Sequence, residues 1–128
     1  MQNRKQILGS SGEEIAVDYL ISQGYVVFDR NWRSKTGEID IVASEPLDTR
    51  HELIFVEVKT RSSRDFGDPI EAISATKYLR MYRLALEWLS ENSANREPWR
   101  LDIISIVISK EHKIEIDHLK DLMVVKIN

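Results

Sequence analysis

The sequence predicts an α/β fold in which a mixed β-sheet is flanked by helices, with the elements in the order αβββαββ. Three strand-like runs follow one another with short links, which is typical of antiparallel strands. A long helical region separates the third run from the fourth, and it supplies the crossover that a parallel pair requires. The chain has 128 residues, so we expect a single domain over residues 1–128.

The first helix is predicted over residues 12–23. Ser11 and Glu14 have the Ser-x-x-Glu spacing of a capping box, which marks the start of a helix. The apolar residues that follow recur at helical spacing, and Gly24 is the type of residue that ends a helix.

Three strands are predicted next, over residues 25–28, 38–43 and 53–60. The first and third runs are rich in β-branched and aromatic residues, and the second alternates between apolar and polar residues. Because the links are short, we expect these strands to form an antiparallel meander.

The second helix is predicted over residues 69–92, with Ser74 as the cap of its main segment. Residues 101–108 are apolar on both faces and indicate an interior strand. A last strand is expected over residues 113–116, followed by an irregular C-terminal segment. The apolar stripe predicted for the second helix consists of Tyr78, Tyr82, Ala85 and Leu89, widened by Leu79, Leu86 and Trp88.

The composition indicates a soluble globular protein, with 42% hydrophobic and 30% charged residues. The absence of cysteine excludes disulfides and thiolate sites, so any metal ion must be held by oxygen or histidine ligands. No apolar run has the length of a signal peptide or of a membrane span, so we expect a cytoplasmic protein without membrane contact. The net charge of −3 does not itself indicate a nucleic-acid partner, because phosphate contacts need only a local basic patch.

An acid pair and a lysine are predicted to converge on the second and third strands. Period-two alternation places Glu57 and Lys59 on one face of their strand, while Val56 and Val58 point the other way. If the neighbouring strands pair, Asp40 can lie beside Glu57 on the same face. We therefore expect a cluster at an edge of the sheet that faces a cleft.

This combination suits the hydrolysis of phosphodiester bonds. Two carboxylates are suitable ligands for Mg²⁺ or Mn²⁺, and a nearby lysine can polarise the attacking water. Asp40 and Glu57 would bind the metal ion, with Lys59 as the electrostatic assistant. The alternative is a solvated strand face with an ordinary ion pair, but the apolar run around Glu57 favours burial, and buried charges need a partner or a metal.

Motifs along nearly the whole chain resemble the YraN family (UPF0102), whose small bacterial members are similar to archaeal Holliday-junction resolvases and to nucleases of the PD-(D/E)xK superfamily. The resemblance implies a restriction-endonuclease-like fold, metal-dependent cleavage of DNA and branched or other non-B DNA as the substrate. The motifs are Gly9-Ser10-Ser11-Gly12-Glu13-Glu14-Ile15-Ala16, Asn31-Trp32-Arg33, Gly37-Glu38-Ile39-Asp40, Phe55-Val56-Glu57-Val58-Lys59-Thr60-Arg61, Phe66-Gly67 and Arg100-Leu101-Asp102.

The same resemblance assigns residue roles by position. Asp40 matches the metal-binding acid, Glu57 the paired acid and Lys59 the lysine, while Ile39 replaces the proline in the superfamily's name. Glu13 matches the glutamate that resolvase-like members bring to the metal from the first helix. Acids in a first helical turn also stabilise the helix, so a structural role for Glu13 stays open. Resolvase-like enzymes cut two strands as dimers, which implies a homodimer.

Basic residues next to an aromatic residue predict contacts with nucleic acid. The candidates are Arg30, Arg33 and Lys35 around Trp32, and Arg61 with Arg64 after the third strand. Lys77 is a further candidate, on a polar stripe of the second helix that also carries Arg80 and Arg83. The alternative is that these are solvated loops and a solvated helix face.

Other polar residues are interpreted as structural. Asp102 and Arg100 are expected to form an ion pair, and the histidines at positions 51, 112 and 118 lack the spacing of a metal site. Two functional hypotheses lead: a metal-dependent DNA endonuclease, and a DNA-binding or recombination-accessory module with little or no turnover. A protein-interaction adaptor that does not bind nucleic acid is a third.

Overall fold

The computed structural model describes residues 4–63 and 73–122. Within them the chain forms a five-stranded mixed sheet and two helices, which confirms the predicted α/β class. Predictions at Arg64, Phe66, Gly67, Pro69 and the C-terminal segment 123–128 lie outside these residues. The elements are α1 (Arg4–Ser22), β1 (Val26–Arg33), β2 (Glu38–Pro46), β3 (His51–Arg61), α2 (Ala75–Glu91), β4 (Trp99–Ile108) and β5 (Ile114–Leu119). Neither α1 nor α2 is long and apolar enough to cross a membrane.

The five strands lie side by side in chain order. β1, β2 and β3 form the predicted antiparallel meander. β3 and β4 are parallel, with α2 in the connection between them, and β5 pairs antiparallel with β4. β2, β3 and β4 are therefore inner strands, while β1 and β5 form the edges.

Each helix covers one face of the sheet and buries a separate apolar cluster. Alternate residues of the inner strands face α1 or α2, as the period-two pattern requires. On the α1 side the helix contributes Ala16, Val17 and Leu20. On the α2 side the helix contributes Leu84, Ala85, Trp88 and Leu89.

The predicted start of the first helix is wrong, because α1 begins at Arg4 and runs through the Ser11–Glu14 spacing. Gly12 therefore lies inside the helix, where glycine costs roughly 0.5–1 kcal/mol relative to alanine. Packing explains its presence: a Cβ at this position would overlap the side chain of Thr60 on β3. Glu14 forms an ion pair with Arg30 at 2.6 Å.

The predicted end of this helix is confirmed at Gly24, whose φ is +88°. Its N–H donates to the carbonyl of Ile21, and the N–H of Tyr25 donates to the carbonyl of Leu20, both at 3.0 Å. This is the Schellman arrangement, which favours glycine because the residue is left-handed.

The main segment of the second helix starts at Ser74 as predicted, since the Ser74 hydroxyl accepts a hydrogen bond from the N–H of Lys77 at 3.1 Å. The predicted apolar stripe is partly wrong, because Leu79, Tyr82 and Leu86 are exposed. Apolar residues occupy much of the circumference of this helix, so their pattern does not fix its rotation. The rotation is set instead by a hydrogen bond, in which the indole N–H of Trp88 donates to Asp29 on β1 at 2.7 Å.

Candidate functional site

Asp40 and Glu57 lie side by side where two inner strands end their pairing. The register pairs Ile41 with Val56, and the next position on each strand is Asp40 and Glu57. Both acids line one cavity of about 270 Å³ between the sheet and α2. The predicted position at a sheet edge is wrong, because β2 and β3 each have a neighbour on both sides.

The Asp40 carboxylate is held by the backbone of the neighbouring strand. Its Oδ2 accepts a hydrogen bond from the N–H of Val58 at 2.8 Å. Burial raises the pKa of Asp40 to about 7, and the nearby charges of Glu13, Glu57 and Glu38 add to that rise, while the Val58 hydrogen bond opposes it. The Lys59 ammonium also interacts with Asp40, but it does not offset the effect of burial and of the neighbouring acids.

Glu57 and Lys59 form an ion pair on the α2 side of β3. The Lys59 Nζ lies 3.1 Å from Glu57 Oε1, and each side chain is 26% exposed. Burial acts to lower the pKa of Lys59, but the carboxylate of Glu57 outweighs it and the pKa lies above its ordinary value. The lysine therefore carries its proton at neutral pH.

The first turns of α2 bring two further cations to the site. Lys77 and Arg80 line the same cavity as the two acids. Lys77 also lies close to Lys59, and the positive charge of the Lys59 ammonium lowers the pKa of Lys77. The cavity thus combines carboxylates on the sheet with cations on the helix. The sequence interpretation included Lys77 but treated Arg80 only as part of a helix stripe.

Glu13 approaches the site from α1, on the opposite face of the sheet. Its charge contributes to the raised pKa of Asp40, so it acts on that residue electrostatically. Across residues 4–63 and 73–122, no group of three or more acidic or histidine side chains is arranged to hold a metal ion. The predicted three-ligand set with Glu13 is therefore not assembled, and Asp40 and Glu57 are the residues that could hold a metal ion together.

The other predicted contacts to nucleic acid differ in their surroundings. Arg33 is 77% exposed and lies 3.6 Å from Glu38. Lys35 is exposed, and Arg61 is partly exposed at the end of β3. Trp32 is partly buried against the apolar cluster below α2, so packing occupies a ring that the sequence suggested for base stacking.

A buried ionic network lies on the α1 side of β4 and includes the predicted ion pair. Arg100 Nε donates to Asp102 Oδ1 at 2.9 Å, which confirms that pair. His118 Nε2 lies 2.7 Å from Asp102 Oδ2, and burial acts to raise the pKa of Asp102, but His118 and Arg100 outweigh it and lower that pKa. Arg100 also pairs with Glu45 and Glu52 at 2.6 and 2.7 Å. The role of His118 has no signal in the sequence, because it depends on the pairing of β4 with β5.

Comparisons with known proteins identify relatives along nearly the whole chain. The Uncharacterised protein family UPF0102 matches residues 12–106, which include Asp40, Glu57 and Lys59. A UPF0102 protein of Paenarthrobacter aurescens is 42% identical over 116 residues, covering 91% of this chain and 93% of the relative. UPF0102 proteins of Nocardia farcinica (43% identical, 91% of this chain and 88% of the relative) and Pelobacter propionicus (42%, 87% and 78%) are similar as well. The chain belongs to the UPF0102 family.

Proposed function

We propose that this chain is a metal-dependent DNA endonuclease of the PD-(D/E)xK type, which hydrolyses phosphodiester bonds in branched or other non-B DNA. The observation that carries the proposal is the convergence of Asp40, Glu57 and Lys59 from two neighbouring strands. Asp40 and Glu57 open into one cavity, and Lys59 is paired with Glu57 beside it. The resemblance to resolvases, rather than any contact, supplies the shape of the DNA and a homodimer that cuts two strands.

The donor atoms fit a magnesium or manganese ion. Mg²⁺ takes one or two carboxylates from a protein and completes its coordination with water and substrate phosphate, and Asp40 and Glu57 offer that number. The raised pKa of Asp40 supports the fit, because a divalent cation would supply more positive charge to the carboxylate than its surroundings do. When bound, the cation would neutralise phosphate charge and make a water more acidic.

The residues of this chain then have separate tasks. Asp40 is oriented by the Val58 N–H, and Glu57 holds Lys59 in place. Lys59, with its proton on Nζ, offers a donor to an oxygen that gains negative charge during hydrolysis. Lys77 and Arg80 provide cations for DNA phosphate groups next to the acid pair.

A second candidate is a DNA-binding or recombination-accessory module that keeps the site but turns over nothing. The ion pair between Glu57 and Lys59 favours it, because a lysine engaged by a carboxylate at 3.1 Å is partly neutralised. Both candidates predict binding of DNA, and only the first predicts cleavage.

The experiment that tests the proposal incubates purified protein with labelled duplex, single-stranded, flap and four-way DNA, in Mg²⁺, in Mn²⁺ or in chelator. We expect cleavage of at least one branched DNA that needs the metal ion and disappears in Asp40→Asn. Binding without metal-dependent cleavage would replace the proposal by the accessory module. If no DNA binds, both candidates fail, and an adaptor function is favoured.

A further inference from the structure

The cavity beside Asp40 and Glu57 has an apolar wall that a phosphate group does not need. Five apolar residues line it together with the charged groups. One of them, Val56, belongs to the cluster on the α1 side, and the side chains of the other four form the wall. Three of these side chains belong to the apolar core on the α2 side, and the fourth packs against that core from α2. They are Ile39, Phe55, Leu84 and Met81.

The strand geometry explains how this wall forms. Regular alternation would place Ile39 with Ile41, which faces α1, yet Ile39 packs with Val42 on the α2 side. The alternation therefore changes at Asp40, where the side chain rather than the backbone accepts the Val58 N–H. This change turns one more apolar side chain toward the cavity, directly beside the acid pair.

The volume and the chemistry of the cavity match one nucleotide. Pockets for drug-sized ligands span roughly 300–1,000 Å³, so a cavity of about 270 Å³ accepts a smaller molecule. A base offers flat apolar faces to the wall, and its phosphate offers negative charge to Lys77 and Arg80. A bare phosphate would leave the apolar wall unused, and a paired base cannot enter, because it is stacked and bonded within the duplex.

We propose that this cavity receives one unpaired nucleotide next to the phosphate that is cleaved, so that the preferred substrate is DNA with an unpaired nucleotide at the cut site. The inference deepens the proposed function and rests on it for the position of the cleaved bond. A nucleotide that is already unpaired avoids the cost of extrusion from a duplex, and this difference provides the selectivity.

The first test measures nucleotide binding without metal and without turnover. The ¹⁵N-labelled protein is titrated with dAMP and, separately, with deoxyribose 5-phosphate, and amide shifts are followed by NMR. We expect dAMP to bind at least fivefold more tightly, with the largest shifts at Ile39, Phe55 and Met81. Equal affinity, or dAMP shifts remote from these residues, would overturn the inference whatever the nuclease assays show.

Two tryptophan variants separate filling of the cavity from a general change in α2. Met81→Trp fills the cavity and should abolish the preference for dAMP. Leu86→Trp adds the same ring at an exposed position of α2 and should leave the preference intact. Equal loss in both variants, or in neither, would contradict the assignment of the cavity.

The last arm uses the wild type alone, so it does not depend on the folding of any variant. A duplex with a single-nucleotide bulge is compared with the matched perfect duplex by fluorescence anisotropy in chelator. We expect at least tenfold tighter binding of the bulged DNA, and equal binding would overturn the inference. A preference for dAMP and for the bulge with no cleavage in Mg²⁺ or Mn²⁺ would instead refute the endonuclease and keep the nucleotide site.

Discussion

The carboxylate of Asp40 on β2 accepts a hydrogen bond from the backbone N–H of Val58 on β3 at 2.8 Å. The backbone pairing of these strands ends at Ile41 and Val56, so beyond it the Asp40 side chain, and not a backbone carbonyl, accepts the Val58 N–H. The bond fixes the direction of the carboxylate without neutralising its charge.

The first prediction concerns stability and pH in the metal-free protein. The pKa of Asp40 is about 7 in the fold against 3.8 in its ordinary state, so the fold favours the protonated form. The stability that protonation of Asp40 contributes is therefore lost as the pH rises from about 3.8 to about 7. Asp40→Asn removes this pH dependence. The free energy of unfolding of the variant relative to wild type should therefore rise by about 2 kcal/mol between about pH 5 and pH 8.

Urea denaturation at several pH values measures this difference. Asp18→Asn removes an exposed carboxylate from α1 and serves as the control. Its free energy of unfolding relative to wild type should not rise with pH in this way. A constant difference between Asp40→Asn and wild type at all pH values would contradict the description of Asp40 as an acid whose pKa is raised mainly by burial.

The second prediction separates metal ligands from the lysine. Glu57→Gln deletes a hard oxygen ligand and should weaken Mn²⁺ binding by at least tenfold. Lys59→Ala leaves both carboxylates in place and frees Glu57 from its ion pair, so Mn²⁺ should bind as tightly as in wild type or more tightly. Isothermal titration calorimetry provides the measurement, and equal weakening in both variants would contradict these roles.

The third prediction concerns the basic residues before β2. If Arg33 and Lys35 contact phosphates, their joint replacement by alanine should weaken binding of every DNA tested. It should also reduce the slope of log affinity against log salt by the amount expected for the loss of about two phosphate contacts. Lys110 and Lys113 are exposed in the link between β4 and β5, and their joint replacement removes the same charge. Equal loss in the two double variants would assign the effect to overall charge rather than to a local patch.

The fourth prediction tests how α1 is seated on the sheet. Gly12→Ala would normally favour a helix, but the new methyl group overlaps the Thr60 side chain, so we expect a loss of about 1–3 kcal/mol. Thr60→Ala in the same chain should recover part of this loss, because it removes the atom nearest to the added methyl. A stabilising Gly12→Ala, measured by thermal denaturation, would show that α1 does not approach β3 this closely.

Features set by local chemistry were predictable from the sequence. Alternation along residues 53–60 placed Glu57 and Lys59 on one face, Ser74 marked the start of α2, and Gly24 marked the end of α1. Each depends on a backbone preference or a period that a few neighbouring residues define.

Features set by distant contacts were not predictable in the same way. The interior position of Gly12 depends on Thr60, and the rotation of α2 depends on the bond from Trp88 to Asp29. The apolar wall of the cavity requires the turned side chain of Ile39, which reverses its expected face. The sequence therefore indicated the acids, the lysine and a cleft beside them, but not the apolar wall of that cavity.

The most direct test of the proposed chemistry is the single-turnover cleavage rate of a four-way DNA junction in saturating Mn²⁺. Wild type, Asp40→Asn, Lys59→Ala and Glu38→Gln are compared, the last removing an acid of the same cavity that is not proposed as a metal ligand. The account predicts losses of about a hundredfold or more for Asp40→Asn and Lys59→Ala, with Glu38→Gln within a few-fold of wild type. Wild-type protein that binds the junction and the metal ion but cleaves no faster than Asp40→Asn would contradict it.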